Sequence, residues 1–168
     1  WYARAYFDDG HKLGSASGID CKIDSISQSW SVLSDIDDKS RQDQALHSAL
    51  EHLYDEKENI FKLLDPAFDN DPISPGYIKD YVPGIRENGG QYTHAVFWVV
   101  MALAKNRMSD WALKILHCTN PLMHTKDETL LMRYQLEPYV IAGDIYSSKQ
   151  HYARGGWSWY SGSSGLYY

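Results

Sequence analysis

Cysteine is scarce in this chain of 168 residues, which contains only Cys21 and Cys118. Two cysteines so far apart do not form the dense pattern of a disulfide framework, so we expect free thiols. The seven histidines show no metal-ligand spacing, and His117, Cys118 and His124 come nearest to a cluster. A structural zinc site needs about four ligands at defined spacings. The sequence therefore predicts no metal site.

An excess of positive charge is also missing, because 22 acidic side chains against 16 basic ones give a formal net charge of −6. A nucleic acid or an anionic membrane would need a basic face, so this balance argues against both partners. The longest apolar run, residues 95–104, is about half of the ~20 residues that a membrane-spanning helix needs. We therefore expect no membrane contact by this segment.

Aromatic residues, in contrast, are abundant: 13 Tyr, 6 Trp and 4 Phe make up 14% of the chain. Tyr and Trp combine a flat apolar face with a polar edge, which suits interfaces and sugar rings as well as cores. A tightly packed aromatic core explains any single one of them equally well. With 43% apolar and 23% charged residues, residues 1–168 have the composition of one globular domain.

Helical periodicity is the main secondary-structure signal. The first apolar stripe has the three- and four-residue intervals of one helix face and comprises Ile19, Ile23, Ile26, Trp30 and Leu33. Further helices are predicted over about residues 39–54, 89–105, 109–117 and 128–146, with a last one starting near residue 161. Four of the six prolines lie in residues 66–83, which we expect to form a long loop. The pattern predicts an all-α fold.

The strongest candidate for chemistry is His94, in the second turn of a predicted helix that follows Gly89 and Gly90. A helix N-terminus favours an anion, and imidazole is the side chain that gains charge closest to neutral pH. Arg86 would add a second cation. Asn88 and Gln91 have the spacing of a helix capping box. The alternative is a buried histidine that bonds to a neighbouring carbonyl.

A second candidate lies near the carboxy terminus, where Ser161, Gly162, Ser163 and Ser164 offer hydroxyls and free amides. Such a segment can hold an oxyanion at a helix start, although an ordinary Gly/Ser loop is the simpler interpretation. A glycosidase also needs two placed carboxylates. The sequence does not show which carboxylates converge among Asp8, Asp9, Asp24, Glu87, Glu137 and Asp144.

Five strings in order along the chain carry a resemblance: WYARAYFDDGHKLGS, IDSISQSW, PGYIKDYVPGIRENGGQYTHA, EPYVIAGDIYS and RGGWSWYSGSSG. Together they resemble the carboxy-terminal part of family 94 of the glycoside hydrolases. Within it they are most similar to the cyclic β-1,2-glucan synthases and 1,2-β-oligoglucan phosphorylases. The resemblance implies an (α/α)6 barrel and inverting phosphorolysis, in which phosphate attacks the anomeric carbon and releases a sugar 1-phosphate. Inorganic phosphate would be a co-substrate, with no cofactor.

The resemblance also assigns residues. The family's phosphate-binding histidine matches His94, and its Thr-Gly phosphate contact matches Ser161 and Gly162, where serine keeps the hydroxyl. Arg86 matches a position near the acceptor sugar. Further sugar contacts are expected at Tyr81, Glu87, Gln91 and Glu137. The family's usual GYIKGYPPG is GYIKDYVPG here, so Asp80 and Val82 alter the acceptor-side loop.

The family's general acid, an aspartate in a GDWND-like string, does not occur in this sequence. Six predicted helices are also about half of the family's barrel, and the chain starts without Met and stops inside a predicted helix. We therefore expect a carboxy-terminal fragment of the catalytic domain, inactive alone, whose open apolar flank meets the rest of its barrel or a second copy in a homo-oligomer.

The parent enzyme would bind a β-glucan oligosaccharide or a sugar phosphate. A cytoplasmic location is expected, with other domains of the parent as a means of tethering it to the inner membrane. Two alternatives remain open at this point: an inverting glycoside hydrolase on the same scaffold, and a non-catalytic carbohydrate-binding domain that uses the Tyr and Trp surface.

Overall fold

The structure is a computed structural model, and it describes residues 1–72, 74–158 and 162–168. Within these ranges the chain forms six α-helices and four two-stranded antiparallel sheets. About 41% of it is helical and 13% is strand. The prediction of an all-α fold forming half of an (α/α)6 barrel is therefore wrong for this chain. Short strands were missed because each spans only two residues, too few for a period-2 pattern to appear in the sequence.

The helices are α1 (Ser25–Leu33), α2 (Lys39–Leu53), α3 (Thr93–Lys105), α4 (Ser109–His117), α5 (Glu128–Tyr134) and α6 (Gly162–Tyr167), with 3₁₀ turns at Tyr77–Asp80 and Pro121–His124. Three of them begin at an aspartate whose carboxylate accepts a backbone N–H of the first turn, the preferred N-cap arrangement; these are Asp24, Asp38 and Asp127. Helix α3 lies at the centre and packs against α1, α4 and α6.

The strands are β1 (Ala5–Tyr6), β2 (Lys12–Leu13), β3 (Ile23–Asp24), β4 (Tyr54–Asp55), β5 (Ile60–Phe61), β6 (Leu64–Asp65), β7 (Gln91–Tyr92) and β8 (Asp144–Ile145). The pairs are β1–β2, β3–β6, β4–β5 and β7–β8. Two of these pairs join segments that are distant in sequence. The β7–β8 pair matters most for the site, because it ties the start of α3 to the segment that follows α5.

The main core forms between α1, α2, α3 and α4. The apolar run of α3 supplies its centre, as the sequence indicates, with Val96, Val99, Ala102 and Leu103 all buried. No helix in the part of the chain that the structure describes is long and apolar enough to span a bilayer.

Helix α1 differs from its prediction. Residues 19–24 are not helical, since Ile23 and Asp24 form β3 and α1 begins at Ser25. Its buried face is mostly polar and comprises Ser25, Gln28, Ser29, Ser31 and Val32, whereas Trp30 is 44% exposed. The serine hydroxyls return bonds to helix carbonyls, as in Ser31 to Gln28 at 2.7 Å. Because these side chains are small and their hydroxyls are hydrogen-bonded within the helix, α1 can lie close to α3.

Two further predictions of helix ends were wrong. Helix α5 stops at Tyr134, where Gln135 takes a left-handed conformation with φ of 58°, and residues 135–146 are not helical. The expected capping box at Asn88 and Gln91 does not form. Helix α3 begins after Tyr92 with no side-chain cap, because both amides serve other segments.

The proline-rich loop 66–83 is fixed by polar side chains from outside it. Asp20 accepts the backbone N–H groups of Asp69, Asn70 and Asp71 at 2.7–2.8 Å. The fully buried Asn88 side chain exchanges two hydrogen bonds with the Phe68 backbone and donates a third to the Tyr81 carbonyl. These contacts place the loop against the start of α3.

Candidate functional site

His94 faces a cleft of about 220 Å³ beside the first turn of α3. The chemistry-bearing residues that line it come from four separate segments and are Arg4, Tyr77, Glu87, Tyr92, His94 and Trp98. The set combines a cation, a carboxylate, an imidazole and three aromatic rings. Polar groups of opposite character beside aromatic faces are what a small polar ligand such as a sugar requires.

The His94 ring is half-buried and lies edge-on to Trp98, with ring centroids 4.7 Å apart. Trp98 in turn meets Trp30 of α1 at 5.4 Å. The partly open position of His94 contrasts with His124, which is buried and has its Nε2 atom 2.8 Å from the Cys118 carbonyl oxygen. Burial lowers the pKa of His124. The fully enclosed histidine of this chain is therefore His124, and His94 borders open space.

Arg4 enters the cleft from the amino-terminal segment. Its Nη1 atom forms an ion pair with Oδ2 of Asp24. The Asp24 carboxyl is buried, and burial raises its pKa while the Arg4 charge lowers it. Asp24 also caps α1 through its other oxygen, which accepts the Ile26 N–H at 2.7 Å. One buried carboxylate thus fixes both the start of α1 and the Arg4 guanidinium.

Glu87, which also lines the cleft, lies in the turn before β7. Its Oε2 atom is buried and has no hydrogen-bond partner among the described residues. A buried carboxylate oxygen without a donor is costly, and this atom is available to accept a hydrogen bond. Glu87 lines the same cleft as His94, and its role as a sugar contact stays a prediction.

Arg86 is not among the residues that line the cleft. Its guanidinium carbon lies 5.4 Å from the Tyr81 ring centroid and 4.7 Å from that of Trp157. A hydrogen bond with Tyr81 raises the pKa of Arg86. Arg86 and Tyr81, both predicted sugar contacts, thus form one aromatic–cation cluster next to Glu87 in sequence.

The backbone of Arg86 is held by Asp144, whose Oδ2 atom accepts the Arg86 N–H at 3.0 Å. Arg86 has a positive φ of 50°, a conformation that L residues seldom adopt without support. Asp144 is fully buried, and this burial raises its pKa to about 6. Hydrogen bonds from the Arg86 and Trp157 backbones partly offset this rise in pKa.

Of the second predicted phosphate-binding segment, Ser161 lies outside the described residues, and Gly162 begins α6. Helix α6 packs against α3, with the Tyr167 and Phe97 rings 5.8 Å apart and edge-on. Ser163 is fully buried, and its hydroxyl has no partner within the described ranges. The helix that carries His94 and the helix that starts at Gly162 are therefore direct neighbours.

Two predicted sugar contacts lie elsewhere. Gln91 is completely buried; its Oε1 atom accepts the Phe61 N–H at 2.7 Å and its Nε2 donates to the Cys118 carbonyl at 2.8 Å. Gln91 therefore connects backbone segments and is left out of the site proposed below. Glu137 is exposed in the loop after α5 and does not line the His94 cleft. Across the described ranges, no three His, Cys, Asp or Glu side chains are grouped so that they could hold a metal ion.

Sequence reasoning overlooked Arg4 and Tyr92 and treated Asp24 only as one of several carboxylates. Trp98 lies on the helix face of His94, which it follows by one helical turn, but the sequence did not assign it to the site. No local pattern links Arg4 to Asp24, because their contact depends on how the amino-terminal segment returns to α1.

Comparison with known proteins now identifies the class. The family model for the glycosyl hydrolase 94 superfamily, catalytic domain, matches residues 1–168. The chain belongs to this family, and the resemblance inferred from the sequence is confirmed.

Among curated relatives, cyclic beta-(1,2)-glucan synthase NdvB of Rhizobium meliloti (strain 1021) is 45% identical over 168 residues, 100% of this chain and 6% of the relative. N,N'-diacetylchitobiose phosphorylase of Vibrio proteolyticus is 27% identical over 169 residues, 100% of this chain and 20% of the relative. Solabiose phosphorylase of Paenibacillus borealis is 33% identical over 102 residues, 61% of this chain and 13% of the relative. The chain thus spans a small part of each relative's length.

Proposed function

We propose that this chain contributes the phosphate-binding side of an active site that performs inverting phosphorolysis or chain processing of β-1,2-linked glucans. Membership of the family supports carbohydrate chemistry. The 45% identity to a cyclic beta-(1,2)-glucan synthase supports the linkage, and the phosphorylases among the relatives support sugar and phosphate as substrates. The observation that carries the proposal is the packing of α6, which starts at Gly162, against α3, which presents His94.

The start of α3 suits an anion. Helix α3 has 13 residues and no side chain capping its first turn; its first amide, that of Thr93, bonds to the Gly143 carbonyl, and the helix dipole favours a negative charge near this end. His94 projects from that turn into the cleft. By the family resemblance, a phosphate bound beside His94 would receive a donor from its ring and further donors from Ser161 and Gly162.

In an inverting phosphorolysis the phosphate takes the place of the activated water, so one carboxylic acid suffices to protonate the leaving oxygen. The task of this chain is then to hold the attacking phosphate oxygen in line with the bond that breaks. Donors fixed on two packed helices accomplish this without reorganisation during the reaction. Inorganic phosphate is a co-substrate in this scheme, and no cofactor takes part.

The sugar side of the site is assigned to Glu87 in the cleft and to the Arg86–Tyr81 cluster beside it, with Glu137 as a more distant contact. The residue acting as general acid is placed in another part of the parent enzyme, because the family's GDWND-like string does not occur here. We therefore expect the chain alone to be inactive, since general acid catalysis contributes ~10²–10⁴-fold.

The test is the His94→Ala variant of the parent enzyme, assayed for glucose 1-phosphate released from linear β-1,2-glucan at varied phosphate concentration. We expect slower turnover and a higher KM for phosphate with an unchanged fold. The control is His47→Ala, which removes an exposed imidazole from α2. Wild-type phosphate dependence in His94→Ala would contradict the assignment of His94. Glucose release by the wild type without phosphate would show a hydrolase instead.

A further inference from the structure

Three contacts fix the backbone around Arg4. The backbone N–H of Arg4 donates to the Leu13 carbonyl at 2.7 Å. The buried Gln28 amide binds the neighbouring Tyr2 backbone twice, accepting its N–H at 2.8 Å and donating to its carbonyl at 2.9 Å. Gly14 packs so closely that a Cβ there would lie 2.7 Å from the Arg4 nitrogen. The backbone from which the guanidinium extends is therefore fixed.

The guanidinium itself is aimed by Asp24, whose side chain is 1% exposed against 29% for Arg4. Taking a carboxylate out of water is expensive and is seldom justified by stability alone. Arginine presents five N–H donors in a rigid fork, and one nitrogen is engaged by Asp24. The pair therefore presents the remaining donors of Arg4 to the cleft in a defined orientation.

The other residues that line the cleft indicate which kind of ligand the remaining N–H donors of Arg4 would bind. Glu87 offers an unpartnered buried acceptor oxygen, and Tyr77, Tyr92 and Trp98 offer aromatic faces. A donor-only group, an acceptor-only group and aromatic rings match the hydroxyls and the C–H face of a sugar ring.

Charge distinguishes the position of Arg4 from that of a phosphate donor. The Arg4–Asp24 ion pair has no net charge, and a carboxylate, Glu87, lines the same cleft. A neutral pair attracts a phosphate dianion weakly, whereas the free N–H donors of Arg4 suit a neutral sugar hydroxyl. The volume of about 220 Å³ fits a single ring.

We propose that Arg4, oriented by the positioning residue Asp24, donates a hydrogen bond to a hydroxyl of the glucosyl unit bound in the His94 cleft, which Glu87 also lines. This inference rests on the proposed function, which supplies β-1,2-glucan as the substrate class. It assigns to the amino-terminal segment a substrate contact that is separate from the phosphate donors on α3 and α6.

The experiment measures calorimetric binding of a linear β-1,2-linked glucose oligosaccharide to the parent enzyme without phosphate, and separately the KM for phosphate. Arg4→Lys keeps the charge but loses the fork; we expect Kd for the oligosaccharide to rise about tenfold or more, with the KM for phosphate within about twofold of the wild type. The matched control is Arg133→Lys, at the Arg133–Glu58 ion pair, which does not line the cleft.

Because removing Arg4 alone would leave Asp24 buried and unpaired, a second variant combines Arg4→Met with Asp24→Asn. It removes both charges, and we expect it to fold and to show the same loss of oligosaccharide affinity. Wild-type oligosaccharide binding by both variants would overturn the proposal. An increase in the KM for phosphate with unchanged oligosaccharide Kd would also overturn it, since Arg4 would then serve the phosphate.

Failure of the proposed function has a different signature. In that case the wild type binds the oligosaccharide in an Arg4-dependent manner but releases no glucose 1-phosphate, or does so with no dependence on His94. A wild-type enzyme that does not bind β-1,2-linked oligosaccharide contradicts the substrate class and with it the contact assigned to Arg4.

Discussion

Replacing Asp144 by asparagine should remove a pH dependence of stability that this single carboxyl imposes. Asp144 is fully buried in β8, and its Oδ2 atom accepts the Arg86 N–H at 3.0 Å. Burial raises its pKa from an ordinary value of 3.8 to about 6. The side-chain carbonyl of asparagine can accept the same hydrogen bond and cannot ionise.

The direction of this pH dependence is set by which state, folded or unfolded, binds the proton more tightly. Because the pKa of Asp144 is higher in the folded chain, the folded state binds the proton more strongly than the unfolded state between pH 3.8 and about 6. Its contribution to the free energy of unfolding is thus complete below pH 3.8 and is lost as the pH rises through about 6. The difference between these two values corresponds to about 3 kcal/mol.

The assay is urea unfolding of the wild type and Asp144→Asn at a series of pH values from about 4 to 8, compared at each pH. Other titrating groups are common to both proteins and cancel in the difference. Because the series starts just above pH 3.8, we expect the free energy of unfolding of Asp144→Asn to rise relative to that of the wild type by about 2.5 kcal/mol between its ends. A difference that stays constant with pH would refute the reasoning, because it would mean that Asp144 remains ionised when buried.

Two further predictions concern close packing and buried amides. Gly156→Ala would place a Cβ 2.1 Å from Asp144 Oδ1 and 2.6 Å from Tyr146 Cε1. We expect this substitution to lower the free energy of unfolding, measured by thermal unfolding, by about 3 kcal/mol. In the control Gly165→Ala the added Cβ meets open space within α6, and the free energy of unfolding should rise by up to about 1 kcal/mol. Gln91→Leu leaves the buried Phe61 N–H unpaired and removes one of the two hydrogen bonds to the Cys118 carbonyl, which keeps its contact with His124. We expect a loss of about 1–3 kcal/mol, against about 0.5 kcal/mol or less for Gln44→Leu on the exposed face of α2.

The elements that sequence predicted well are those whose signal is local. Helices α3 and α4 end where expected, at Lys105 and His117, because a continuous apolar run and a short amphipathic stretch determine them. Helix α1 was mispredicted for a physical reason. Its interval pattern is helical, but the buried face is the serine face, since Ser29 and Ser31 satisfy their hydroxyls within the helix.

The site was predictable only in part. His94 stood out through its position after two glycines, and Gly162 through a motif resemblance. The contacts that hold the site together join residues far apart in sequence: Arg4 with Asp24, and Arg86 with Asp144, 58 residues away. Such pairs leave no periodic trace, because each partner sits in an irregular segment whose path depends on the rest of the fold.

The irregular backbone of these segments also explains why buried polar side chains lie around this cleft. The segments that carry Arg4, Tyr81 and Glu87 are loops, so their backbone groups lack the partners that helices and sheets provide. Side chains supply them instead: Gln28 binds the backbone beside Arg4, Asn88 binds Tyr81, and Asp144 binds the residue before Glu87. Each of these three is completely buried, where hydrogen bonds are strong and an unpaired group is costly. A loop fixed in this way has few alternative conformations, which is the condition for a rigid binding site built on irregular backbone.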